Sequence, residues 1–241
     1  MARDQQLIMG KNCIREVLSA TPERLLEVYT CQKPTDTLYQ ELQKRAIKIK
    51  IVPKHTLTEL ASSDSHQSYV AAVRPRANID LKSFLKQPRE KSLVLMLDSI
   101  HDPQNLGSIL RSAECFGADL VVFSKNRGAD ITPTVSKTSA GASELIPISK
   151  ISNLAEAIKA FQKAGFWAVT ADVGSHCQSL YTFEFPAKTL LIMGSEGKGV
   201  QPLIHKLCDF HLTIPMLGRI DSLNVSQATA VICSHYRGFK T

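Results

Sequence analysis

The stretch LVLMLDSIHDPQNLGSILRSAECFGADLVVF, residues 93–123, sets the architecture of the chain. Residues 93–97 form a continuous apolar run, the mark of a strand covered on both faces. A polar loop with Asp102-Pro103 follows, then a helical pattern over residues 106–116 and a second apolar run at 120–123. Strand, helix and strand in this order predict a parallel pair joined by a crossover helix. The alternation continues, with strands expected at 166–171, 189–193 and 211–214 and helices at 153–164, 202–207 and 225–236. The expected fold class is therefore α/β, a mainly parallel sheet with helices on both faces.

Upstream, the periods are shorter. Helical patterns at 11–19, 37–45 and 56–61 alternate with strand-like runs at 25–30, 47–52 and 68–73, which predicts a small N-terminal α/β unit. Residues 75–91 combine two prolines with many charges and little apolar pattern, as a linker does. We expect a domain over 1–74, a linker over 75–91 and a larger domain over 92–241. There is no internal repeat.

Composition narrows the function classes. With 241 residues and 44% apolar content, the chain can bury a substantial core. No run approaches the ~18 apolar residues of a membrane span, and MARDQQLIMGK lacks the apolar segment of a signal peptide, so a cytoplasmic location and no membrane partner are expected. Cys13, Cys31, Cys115, Cys177, Cys208 and Cys233 form no CxxC and no Cys/His cluster with zinc-like spacing; reduced thiols and no metal are expected. The net charge of +7 favours a polyanionic partner. Lys11, Arg15, Lys33, Lys44, Arg45, Lys48, Lys50 and Lys54 crowd the first domain, although surface lysines alone are also what an ordinary solvated helix carries.

Three stretches could carry chemistry. In residues 97–113, a strand ends at Asp98 and a helix carries Asn105 and Arg111 near the sheet edge where α/β proteins bind ligands. Taken alone, this stretch is better accounted for by a capping Asn and an ion-paired Arg. In LLIMGSEGKGV, residues 190–200, a strand enters a glycine-rich turn tipped by Glu196. It is no P-loop, because Lys198 is followed by Gly199, and the glycine order GxxGxG fails the dinucleotide fingerprint. Gly194 is expected to let a flat ligand lie on the backbone. In IPMLGRIDSLNVSQAT, residues 214–229, a strand end breaks at Gly218, and Ser222, Asn224 and Ser226 gather at a helix start suited to capping or to ligand contact. These groups include no metal set and no convincing Ser/His/Asp or Cys/His pair, which disfavours hydrolysis.

The stretches LDSIHDPQNLGSILRSA, IMGSEGKG and IPMLGRIDSLNVSQATA resemble the three ordered motifs of the SpoU/TrmH family of RNA ribose 2'-O-methyltransferases, within the SPOUT superfamily. The N-terminal unit and its HQS tripeptide at residues 66–68 are similar to RlmB-type members. The resemblance implies a C-terminal trefoil knot, S-adenosyl-L-methionine as cofactor, a homodimer and a small N-terminal RNA-binding domain. It implies that Gly194, Ile214, Met216 and Leu223 hold the cofactor, while Asn105, Arg111, Glu196, Ser222 and Asn224 form the catalytic set. The implied target is ribosomal RNA, a guanosine of 23S rRNA in the peptidyl-transferase P-site loop; a transfer-RNA ribose methyltransferase and a non-catalytic RNA-binding module are the alternatives. The family's proposed general base is Arg111. A guanidinium, with a pKa of ~12.5–13.8, is almost never neutral in a protein, so stabilising a developing 2'-oxyanion is an equally serviceable role.

Overall fold

A computed structural model describes residues 5–174, 177–195, 197 and 199–238. The chain begins with β1 (Gln6–Met9), α1 (Lys11–Ala20), β2 (Leu25–Thr30), α2 (Thr37–Lys44), β3 (Ile49–Ile51), α3 (Lys54–Ala61) and β4 (Tyr69–Val73). It continues through α4 (Leu81–Leu85), β5 (Ser92–Asp98), α5 (Pro103–Cys115), β6 (Leu120–Ser124) and α6 (Pro133–Thr138). The remainder comprises β7 (Ile148–Ile151), α7 (Leu154–Lys163), β8 (Trp167–Ala171), β9 (Gln178–Ser179), β10 (Lys188–Gly194), α8 (Pro202–Leu207), β11 (Phe210–Thr213) and α9 (Val225–Arg237). No helix among the described residues is long and apolar enough to cross a membrane.

Two compact units result. The first contains the residues up to Ala77 together with Asp130–Leu145, and the second contains Asn78–Ala129 with the residues from Ile146 onward. The stretch expected as a linker therefore has structure of its own: residues 78–91 belong to the second unit, where α4 puts Phe84 into the core.

In the first unit the sheet order is β1-β4-β2-β3, with β4 antiparallel to both neighbours and β3 parallel to β2. Helix α1 buries Cys13, Ile14, Val17 and Leu18, one stripe at helical spacing, against Ile8, Val28, Tyr69 and Ala71. Asp36 caps α2, its Oδ1 accepting from the Leu38 and Tyr39 amides at 3.0 and 3.4 Å. The same carboxylate takes the Tyr69 hydroxyl at 2.7 Å and Lys11 Nζ at 2.6 Å. Burial alone would raise the Asp36 carboxyl, but hydrogen bonds from Lys11 and Tyr69 outweigh it and hold the group at about 2. Residues 130–145 are integral here. Ser136 Oγ accepts from the Met9 amide at 3.3 Å, and the buried Glu144 takes Arg24 at 2.9 Å. At Gly141 (φ 97°) a Cβ would lie 2.7 Å from Glu16 Cγ and 3.1 Å from Cys13 Cα, so α1 approaches its backbone closely.

The second unit carries seven strands in the order β7-β6-β5-β10-β8-β11-β9, and every recorded pair is parallel. All seven residues of β5 are buried, as its continuous apolar run demands. Val94 and Met96 join Leu120, Val122, Leu190 and Ile192 under Ile158 and Phe161 of α7 and Ile204 of α8. Alternate residues such as Leu93 and Leu95 point to the opposite face. There α9 buries Val225, Thr229, Ile232, Cys233 and Tyr236 as one stripe and packs beside α5. Each such fully buried apolar side chain stabilises the fold by about 1.5–3 kcal/mol.

Candidate active site

The carboxyl ends of β5, β8, β10 and β11 converge on one edge of the parallel sheet, where open α/β sheets place their ligands. Four connections leave this edge. Beyond β5, the fully buried Asp98 accepts the Gln201 amide at 2.8 Å, Gln201 Nε2 at 2.6 Å and Ser99 Oγ at 3.0 Å. This carboxylate ties the loop after β10 to the strand beside it.

Gly194 ends β10 opposite Asp98. A short antiparallel bridge closes the next turn, with Gly199 N donating to Ser195 O at 2.8 Å and Ser195 N to Gly199 O at 3.1 Å. A Cβ on Gly194 would lie 2.2 Å from Gly199 C and 2.3 Å from Val200 N. The space released by this glycine is filled by the chain's own backbone, a different use from the flat-ligand platform expected from sequence. Glu196, assigned a catalytic place from sequence, lies outside the described residues.

Two cavities open at this edge. The larger, of about 570 Å³, is walled by Met193, Gly194, Leu212, Ile214, Met216, Ser222 and Leu223, with Asn224 and Val225 at the helix start. The smaller, of about 510 Å³, is walled by the loop of Ser99, Ile100, His101 and Asp102, by Asn105, and by Gln201 and Pro202. Ser195, Gly199 and Val225 line both. The two spaces therefore adjoin.

Asn224 caps α9, accepting from the Ser226 amide at 2.8 Å and Ser226 Oγ at 2.6 Å. Its Nδ2 donates to Asn105 Oδ1 at 2.9 Å, across 119 positions of sequence. Asn105 is not itself a cap: Asp102 caps α5, Pro103 opens the first turn, and Asn105 sits inside that turn, 7% exposed. Ser222 Oγ donates to Asp221 Oδ1 at 3.1 Å on an exposed loop. Of the nine residues singled out in sequence, Gly194, Ile214, Met216, Ser222, Leu223 and Asn224 line the larger cavity and Asn105 the smaller. Arg111 lies exposed on α5 and lines neither. Sequence reasoning passed over Gln201 and the shared wall of Ser195 and Val225, which carry no chemical signature of their own.

The larger cavity fits an adenosine-type cofactor. Its walls are mainly apolar side chains and backbone from strand ends, its volume falls in the usual range for such ligands, and exposed backbone beside Gly194 and Ile214 can meet a base edge. Among the described residues, the thiol pKa values of Cys177, Cys208 and Cys233 are all raised by burial, which disfavours the thiolate. Burial pushes both Cys208 and Cys233 up to about 12.

The HQS tripeptide proves to be a turn element of the first unit. His66 is 1% exposed, its Nδ1 accepting the Ser68 amide at 3.0 Å and its Nε2 3.3 Å from Thr58 Oγ1. Burial, then Lys54, lowers the imidazole pKa, and the neutral ring carries its proton on Nε2.

Comparison with known proteins agrees with this geometry. The model of the SpoU rRNA Methylase family matches residues 92–234, and the model described as RNA 2'-O ribose methyltransferase substrate binding matches residues 7–78. A 23S rRNA (guanosine-2'-O-)-methyltransferase RlmB of Photobacterium profundum is 36% identical, covering 93% of this chain and 94% of its own. The RlmB of Vibrio cholerae is 35% identical over 94% of each chain. The crystal structure of the SpoU methyltransferase AviRb from Streptomyces viridochromogenes in complex with AdoMet superposes with a TM-score of 0.80 at 25% identity, covering 97% of this chain and 89% of that one. A motif-bearing sheet edge, a family match across the whole second sheet and relatives above one-third identity along nearly the full chain agree: the protein belongs to the SpoU rRNA methylase family.

Proposed function

We propose that this S-adenosylmethionine-dependent RNA 2'-O-methyltransferase acts on ribosomal RNA, at a guanosine of 23S rRNA in the peptidyl-transferase P-site loop. The observation that carries the reading is the adjacency of the two cavities across Ser195, Gly199 and Val225, with Asn105 and Asn224 bonded at their border. The nearly full-length likeness to RlmB enzymes supports the choice of RNA.

Bound in the larger cavity, the cofactor supplies an electrophilic methyl on a sulfonium. Ile214, Met216, Leu223 and the backbone at Gly194 hold its adenosine part, and Ser222 helps fix it. Asn105 and Asn224 hold a ribose in the smaller cavity with its 2'-hydroxyl toward Val225. Orientation of this kind can supply ~7–11 kcal/mol of the barrier. Arg111, exposed on α5 outside both cavities, would stabilise the developing oxyanion only once bound RNA brings the ribose to it; the hydroxyl proton then passes to water, and Glu196 would position these groups.

The first unit, residues up to Ala77 with Asp130–Leu145, is the substrate-binding domain, and the second unit is the catalytic domain, so the bounds 1–74, 75–91 and 92–241 expected from sequence shift accordingly. Lys11, Arg15 and Lys48 are paired with Asp36, Glu41 and Glu27, so RNA contact falls to the exposed Lys33, Lys44, Arg45 and Lys54, which have no acidic partner among the described residues. The C-terminal segment forms the family's trefoil knot, a reading that rests on the family match over residues 92–234. The protein works as a cytoplasmic homodimer, for which the exposed Leu217, Ile220 and Leu223 beside the larger cavity supply an apolar patch.

Transfer of tritiated methyl to ribosomal RNA tests the site. It should fall at least 100-fold in Asn105→Ala and Arg111→Ala with folding intact; full activity in both overturns the assignment. Mapping 2'-O-methyl groups in cells lacking the protein tests the substrate, because a changed transfer-RNA pattern with unchanged ribosomal RNA would overturn it.

A further inference from the structure

Beside the larger cavity, which Asp172 also lines, one cluster of donors comes from three separate elements of the second unit. Asp172 follows the last residue of β8, His205 sits in the last turn of α8, and His211 lies on β11, paired with Thr170 of β8. His205 Nε2 stands 2.7 Å from Asp172 Oδ2, and the two imidazole rings lie with centroids 4.1 Å apart. One donor atom from each of the three residues falls within 4.8 Å of the other two.

From this convergence we propose that Asp172, His205 and His211 bind a divalent transition-metal ion, zinc being the natural occupant.

Two imidazole nitrogens and one carboxylate oxygen match the borderline character of zinc, and alkaline-earth ions prefer all-oxygen sets. Zinc bonds of about 2.0–2.2 Å hold tetrahedral donors about 3.4 Å apart. The observed separations run from 2.7 Å to at most 4.8 Å, so side-chain rotation brings the three into place. All three residues are partly exposed, which gives an ion a path in and leaves the fourth position to water. On binding, the metal takes the place of the hydrogen between His205 and Asp172, and His205 ligates through Nε2 as the neutral imidazole with its proton on Nδ1. The thiol of Cys208, one helical turn from His205, donates instead to Ile204 O at 3.3 Å, which leaves a sulfur-free set. The spacing of Cys and His gave no hint of this, because the carboxylate comes from 33 positions before His205. Once bound, the ion cross-links α8 to two strands.

The test uses the full-length protein and zinc chloride in calorimetry, with cobalt(II) as a spectroscopic probe. We expect one ion per chain, a thermal midpoint raised by several degrees, and X-ray absorption showing two imidazoles and light-atom ligands without sulfur. His205→Ala and His211→Ala should weaken binding at least 10-fold, and Asp172→Asn, which keeps the side-chain shape, should do so without risk to the fold. Cys115→Ser, which removes an exposed thiol, should leave binding unchanged. Absence of zinc binding by the unaltered protein, sulfur in the coordination shell, loss of binding on removing Cys115, or full binding by Asp172→Asn would each overturn the proposal and leave an ordinary His–Asp ion pair.

Discussion

In the first unit Asp36 receives four hydrogen bonds from its own fold, whereas in the second Asn105 and Asn224 share one and stand at the border of two cavities. In the first unit several buried polar groups bond within the fold, Glu144 to Arg24 and His66 to the Ser68 amide and Thr58. The second lines its sheet mainly with apolar residues, and the polar side chains that face its cavities stand at strand ends, loops and helix starts. The comparison teaches that a rigid support and a reactive site use the same residue types with opposite commitments.

The sharpest way to break this contrast is Gly194→Ala. A methyl 2.2 Å from Gly199 C can be relieved only by moving backbone, so we expect a loss of about 3 kcal/mol or more in urea unfolding followed by Trp167 fluorescence. Near-normal stability would mean that the crossing is loose. Next comes Asp36→Ala, expected to cost the first unit about 2–3 kcal/mol through the lost cap, the unpaired Lys11 and the orphaned Tyr69 hydroxyl. Acid probes the same carboxylate. Its folded pKa, about 2, lies below the ordinary 3.8, so its contribution is present above pH ~4 and disappears as pH falls through ~2. Amide exchange along α2 should register a loss of roughly 2 kcal/mol over that interval, and a flat profile would show the carboxylate to be uncommitted.

Smaller effects sharpen the other side. Asn224→Ala removes a cap and the bond to Asn105, for a stability change of about 1 kcal/mol. Methyl transfer should fall far more than that loss explains; a proportionate fall would reduce Asn224 to a cap. Smallest of all, Arg111→Ala on the exposed face of α5 should leave stability within about 0.5 kcal/mol, while transfer drops on the order of 10²–10³-fold.

Much of this was legible in the sequence. The apolar runs of β5, β6 and β10 announced a buried parallel sheet because both their faces are covered. Helix α8 and strand β2 fall on the residues that the patterns indicated. Missed elements share a physical cause: β7 (ISKI) is a half-polar edge strand, β9 has two residues, and β1 exists through its antiparallel pairing with β4, more than sixty positions away. Helix α6 did carry a signal, Thr132 capping before Pro133, that was too short to register as a period. At the site, residue types were readable and adjacency was not. The Asn105–Asn224 bond spans 119 positions, and Gly194 turned out to accommodate the chain itself.

The discontinuity of the first unit bears on how the protein is made. Its sheet is complete by Val73, yet the partners of Met9 and Arg24 arrive only with Ser136 and Glu144. On a ribosome, β5, α5 and β6 of the other unit emerge before those partners do. The first unit therefore cannot reach its final packing while its own sequence is being completed; it must wait, part-built, through some fifty residues of someone else's fold. A chain released early would carry the basic surface without the buried glutamate that finishes its base.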